Sequence, residues 1–162
     1  MGALGNLAPP RHGSPRSSGG AQAQGLLVAC AFSAGVHVAL APDHLGESAL
    51  LGLGFLGSAA MLLALGLGIY VRPDSARLPP LIALLCSALI AAYVASRTVG
   101  LPVLHPAREA VDPVGAITKG VEVLTVVLSL HLFVENAGGS RRCQEKRRTR
   151  WTTISSLSRA GL

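Results

Sequence analysis

Apolar residues dominate four long stretches, 25–41, 49–71, 80–97 and 113–134, while charged and turn-forming residues collect between and beyond them. Lipid offers no hydrogen bonds to an exposed backbone, so each stretch is predicted as a membrane-spanning helix. The first is short: at about 1.5 Å per residue it crosses a hydrocarbon core of about 30 Å only with help from its flanks. The second is read as entering the membrane at Ala49 or as early as Pro42, since proline is tolerated at a first helical position. The third opens at Pro79-Pro80, and the fourth follows Asp112-Pro113, a cap followed by a first-turn proline, and ends near Val134 ahead of Gly138-Gly139.

Small residues spaced four apart mark faces where helices in lipid can approach closely. Ala60, Ala64 and Gly68 form one such row in the second stretch; Ser87, Ala91 and Ala95, and Ala88, Ala92 and Ser96, form two in the third. The predicted architecture is an all-α, integral membrane four-helix bundle, with self-association as a further use of the same rows. Residues 1–24, rich in Pro, Gly, Ser and Gln, read as a disordered cytoplasmic leader, 25–134 as the spanning domain and 135–162 as a basic cytoplasmic tail. A secretory signal ending in Ala39-Leu40-Ala41 is the rival reading of the first stretch. Pro42 after the cut and the long segment before the apolar run count against it.

Charge sets the orientation. Arg11 and Arg16 precede the first span, Arg72 and Arg77 lie between the second and third, and a dense basic run follows the fourth. With four spans all of these share one side, which places the N and C termini in the cytoplasm. The opposite side carries Arg97, Arg108 and Lys119 against Asp43, Glu47, Glu109, Asp112 and Glu122. Hydrophobic residues make up 50% of the chain and charged residues only 14%, so its net charge of +6 reflects topology rather than an affinity for nucleic acid. In the tail, Arg141, Arg142, Lys146, Arg147, Arg148, Arg150 and Trp151 are expected to contact anionic lipid headgroups. Cys30, Cys86 and Cys143 show no paired spacing, and no disulfide is expected.

The ionisable residues of the outer side are the candidate chemistry, because such groups are costly in or beside a membrane. His44 and Glu47 stand three apart and share a helical face; with His37, and with Glu109 or Glu122 as a further ligand, they offer imidazole and carboxylate to a divalent transition metal. Haem would need an axial histidine inside the bundle, and His37 and His131 lie toward opposite ends of it. Arg97, Lys119 and Glu122 read as a buried ion-paired group, with Arg97 reaching Glu122 and Lys119 three residues from it on one face. Glu122, about 13 Å below Pro113 by helical rise, is the deepest acid and also a candidate proton site. Asp112, and similarly Asp43, read as residues that favour a helix start. No nucleotide loop, nucleophile elbow or HExxH is present, and no enzymatic activity is expected.

At His37, Pro42-Asp43-His44, Glu47, the run Tyr93-Val94-Ala95-Ser96-Arg97-Thr98-Val99-Gly100-Leu101-Pro102, and Glu122, the chain resembles small four-span membrane proteins of high-GC Gram-positive bacteria, a group with no established activity. The resemblance covers roughly 25–134 and implies a bacterial cytoplasmic membrane with an outward polar site. Three functions remain open: a binding, sensing or accessory module taking a metal ion or small polar ligand; a small oligomeric proton- or ion-coupled transport component; and a structural subunit of a membrane complex.

Overall fold

The computed structural model describes the backbone of residues 17–100 and 110–159, and side chains within 19–100 and 110–138. All regular structure among the described residues is helical: α1 spans Ser17–Glu47, α2 Ala49–Val71, α3 Leu78–Thr98 and α4 Pro113–Arg159. Four segments, Gly19–Glu47, Ala49–Val71, Leu78–Thr98 and Pro113–Gly138, are long and apolar enough to cross a membrane. The chain therefore has the build of a multi-pass membrane protein.

Local chemistry explains most helix ends. Ser48, extended at φ −157° and ψ 128°, separates α1 from α2. Proline stands in the first turn of α3, where a missing N–H costs nothing. Gly100 at φ 75° follows α3 in the left-handed conformation that glycine adopts at the end of a helix. Asp112 caps α4: its carboxylate accepts the Gly115 N–H at 2.6 Å.

Several boundaries differ from those predicted. Pro42 lies inside α1 rather than opening α2, so His44 and Glu47 belong to the end of α1. The chain breaks only at Ser48, where the backbone leaves the helical region. Residues 17–24, expected in a disordered leader, already belong to α1; Ala23 is buried there, and packing gives this stretch a reason to stay helical. The Gly138-Gly139 pair does not end α4, whose backbone continues to Arg159 through a stretch with no proline. The remaining leader residues, 1–16, lie outside the description, as do the side chains of the basic tail.

The helices form an up-down-up-down bundle. The α1–α2 and α3–α4 hairpins are the closest pairs, α1 and α4 join them, and α2 and α3 meet least of the helices in contact. Ala23, Leu26, Cys30 and Ala34 of α1, Ala59, Leu62 and Ile69 of α2, Ile82 and Cys86 of α3, and Leu132 of α4 form the core. Large apolar side chains such as Leu53, Leu84, Val127 and Phe133 cover the outside, as a lipid-facing surface requires.

The small residues at the α2 interface are Gly52, Ala59 and Gly66. A Cβ on Gly66 would stand 2.9 Å from the Cys30 Cβ, and one on Gly52 would collide with Leu45. The predicted rows face elsewhere: Ala60, Ala64, Ser87, Ala88, Ala91 and Ala92 are exposed, and of their rows only Ser96 is buried. In helices this rich in Ala and Gly, four-residue spacing occurs on every face and does not select the packed one.

Candidate functional site

The interior of the bundle carries a line of polar side chains that its length and lipid-facing exterior do not require. On α4, Thr118, Glu122, Thr125 and Ser129 recur at intervals of three and four, and all four are buried. Ser33 and His37 of α1 and Ser96 of α3 are buried with them. Glu122 is 0% exposed and both carboxylate oxygens are engaged: Oε1 accepts the Ser33 hydroxyl at 2.8 Å and Oε2 accepts Lys119 Nζ at 2.7 Å. A buried carboxylate is tolerable only when it is paired and hydrogen-bonded in this way. The Ser33 bond also crosses from α1 to α4.

Toward the α3–α4 connection, Arg97 joins Lys119 around one aromatic ring. The Arg97 guanidinium sits 4.8 Å from the centroid of the Tyr93 ring, and Lys119 Nζ is 5.7 Å from the same ring. Arg97 donates to Asp112 at 3.0 Å, so Asp112 both caps α4 and holds the end of α3 beside it. Gly115 permits this arrangement: an added Cβ would lie 2.6 Å from the Asp112 carboxylate and 2.8 Å from the Tyr93 ring. The buried Tyr93 hydroxyl has no hydrogen-bond partner among the described residues.

The sequence expectation for the ionic group therefore holds for one contact and changes for another. Lys119 meets Glu122, as three-residue spacing allows. Among the described residues, the ion pair of Arg97 is with Asp112 rather than Glu122. From its sequence position Asp112 reads only as a cap, but a carboxylate with two oxygens can cap with one and accept an arginine with the other. Ser33 and Tyr93 were not anticipated as members of the group. Tyr93 stands four residues before Arg97 on one face, a readable signal, whereas Ser33 has no sequence mark that points across to α4.

The histidines at this end are held by local partners. His37 Nδ1 lies 2.8 Å from the Ser33 carbonyl, and His44 Nδ1 lies 3.3 Å from Glu47. Phe55 of α2 packs between them, with the His44 ring stacked at 4.3 Å and the His37 ring tilted at 5.4 Å. Among the described residues, no three His, Cys, Asp or Glu side chains gather where a metal ion would sit. His44 and Glu47 do come together, His37 turns to its own helix, and Glu109 lies outside the described residues. His131 contacts Gln22 at 3.2 Å, which puts it roughly 22 Å from His37 along α1 by helical rise. The two imidazoles therefore do not share one iron.

No protein-family model, curated protein or solved structure matches the chain.

Proposed function

We propose that this chain is a small, non-enzymatic, proton-coupled component of a cytoplasmic membrane, with both termini in the cytoplasm, working as a homo-oligomer or within a larger membrane complex. One observation carries the reading: a carboxylate with no solvent exposure, Glu122, is held between a hydroxyl and an ammonium inside a lipid-spanning bundle. Intramembrane ionisable residues of this kind commonly mark proton and ion pathways. The pair also has somewhere to go. When a proton neutralises Glu122, Lys119 loses its counter-charge, and the Tyr93 ring already beside it offers a cation–π partner. Proton uptake thereby shifts the stabilisation of the Lys119 ammonium from the carboxylate toward the ring.

The test is proton flux in proteoliposomes under an imposed pH gradient. Flux that disappears in Glu122→Gln supports the reading; equal flux in wild type and variant, or none in either, overturns it.

A second reading, a binding or sensing module with an outward pocket for a metal ion or small polar ligand, draws on the Tyr93 hydroxyl, which has no partner among the described residues and whose ring packs against two cations. His44 and Glu47 would supply the metal-binding version. Elemental analysis and metal titration of protein purified in mild detergent test that version. Stoichiometric metal that is lost in the His44→Ala, Glu47→Ala double variant supports it, and protein that binds none opposes it.

A further inference from the structure

The Glu122 carboxylate is approached by two very different routes. Toward the α3–α4 connection stand two ion pairs, Lys119 with Glu122 and Arg97 with Asp112, closed around the Tyr93 ring, and each holds its groups to a fixed partner. In the other direction the same face of α4 offers only neutral hydroxyls, Thr125 at 1% and Ser129 at 0% exposure. The α1–α4 seam continues this line to the bundle end that carries both chain termini. There the Gln22 amide meets His131, whose side chain is exposed.

Two atoms along the seam are chemically incomplete. Ser129 Oγ and Gln22 Oε1 are buried, and neither has a hydrogen-bond partner among the described residues. Leaving such groups buried and unsatisfied is unfavourable, and a bridging water relieves it. Ser33 opposite Glu122 and Gln22 opposite His131 fix the antiparallel register of α1 and α4, and Thr125 and Ser129 fall between these two contacts. The Thr125 hydroxyl donates to the Val121 carbonyl, which leaves its lone pairs to orient a water.

We infer that Glu122 exchanges its proton through the termini end of the bundle, along the α1–α4 seam past Gln22, Ser129 and Thr125. This rests on the proton-coupled reading above and adds the side from which the proton comes. A proton enters at the exposed His131, passes along water held by Gln22 Oε1, Ser129 Oγ and Thr125 Oγ1, and ends on a Glu122 oxygen as a neutral carboxylic acid. Each relay water gives up one proton as it accepts another, so nothing else is consumed. Among the described residues, the titratable groups that act electrostatically on Glu122 are Lys119 from α4, His37 from α1 and Cys86 from α3, with Cys30 beside Cys86, while Arg97 of α3 stands over the Tyr93 ring and pairs with Asp112. The only ionisable side chain of α2 is Tyr70, near its opposite end.

Infrared difference spectroscopy after a pH step, on full-length protein reconstituted in phosphatidylcholine vesicles, tests both levels. A protonated-carboxyl band that is lost in Glu122→Gln is expected for the parent reading; without it, the reading and this inference fall together. With the band present, the inference expects Ser129→Ala and Gln22→Leu to slow its appearance by about tenfold or more, equivalent to about 1.4 kcal/mol on the barrier. Thr98→Val, which removes a hydroxyl from the opposite end, leaves the rate unchanged. Wild-type rates in both seam variants overturn the route and leave the titrating carboxylate standing. Gln22→Leu sits near the start of α1, so it remains informative if Ser129→Ala folds poorly.

Discussion

Each group around Glu122 has a separable part. Removing Lys119 leaves a carboxylate buried beside one hydroxyl, and Lys119→Ala is expected to cost about 3–5 kcal/mol, the usual penalty for breaking a buried pair. Removing both charges is expected to cost less than the sum of the single changes, because each single variant strands the other group. Reversible unfolding in detergent measures this cycle, and strict additivity would show that the 2.7 Å contact contributes nothing. Tyr93→Phe deletes a hydroxyl with no described partner, so its stability should stay within about 1 kcal/mol of wild type. A larger loss would mean that the hydroxyl has a partner in the folded protein. At this scale the sequence was half legible. Three-residue spacing revealed Lys119 with Glu122, but Thr125 and Ser129 look in sequence like ordinary hydroxyls of an apolar helix. Thr118 and Thr125 do bond their own backbone. Burial on the same side as Glu122 is what distinguishes them, and that depends on which face of α4 meets α1.

The elements depend on close approach at a few positions. A Gly66→Val variant pushes a side chain into Cys30 Cβ across the α1–α2 interface, and the resulting overpacking is expected to cost about 1–3 kcal/mol. Gly54→Ala, at a position with open space, should be tolerated, and the melting temperatures of the two variants in detergent make the comparison. Asp112 separates its two tasks by substitution. Asp112→Asn keeps an oxygen for the Gly115 N–H and weakens the bond to Arg97, whereas Asp112→Ala loses both. The alanine variant should be the less stable by about 1 kcal/mol, the usual worth of a cap. Equal losses would assign the effect to the ion pair alone. The four helices were legible from their apolar runs; their ends were less so. Pro42 resembles a helix start but lies within α1, and Gly138-Gly139 resembles a stop but is crossed by α4. Turn-prone residues bias a backbone by an amount that neighbouring helical structure can outweigh.

For the whole molecule, the proposed orientation sets both chain ends, together with the arginines at 72 and 77, on the cytoplasmic side. A cysteine introduced at Ala110 should react with a membrane-impermeant thiol reagent on intact cells, and one at Asp74 should react only after lysis. The reverse pattern would invert the topology and reverse the side from which Glu122 is proposed to load. Overall class was the most legible level because lipid imposes a single demand along the entire chain: every backbone polar group must be satisfied internally. Which helices pair most closely was not legible, since Ala and Gly are too frequent for their spacing to select a face.

That pairing has a mechanical consequence. Between the α1–α2 and α3–α4 halves, the described side chains form cross-links mostly near the termini: Gln22 with His131, and Asn136 with the carbonyls of Pro73 and Ser75. Farther along, the Ser33–Glu122 hydrogen bond links the halves again, while the His44–Glu47, Arg97–Asp112 and Lys119–Glu122 contacts each stay within one half. The molecule is built like a clothes-peg, sprung at one end and joined again near its jaws where the Ser33 hydroxyl meets the Glu122 carboxylate, so a change at that one side chain reaches both halves.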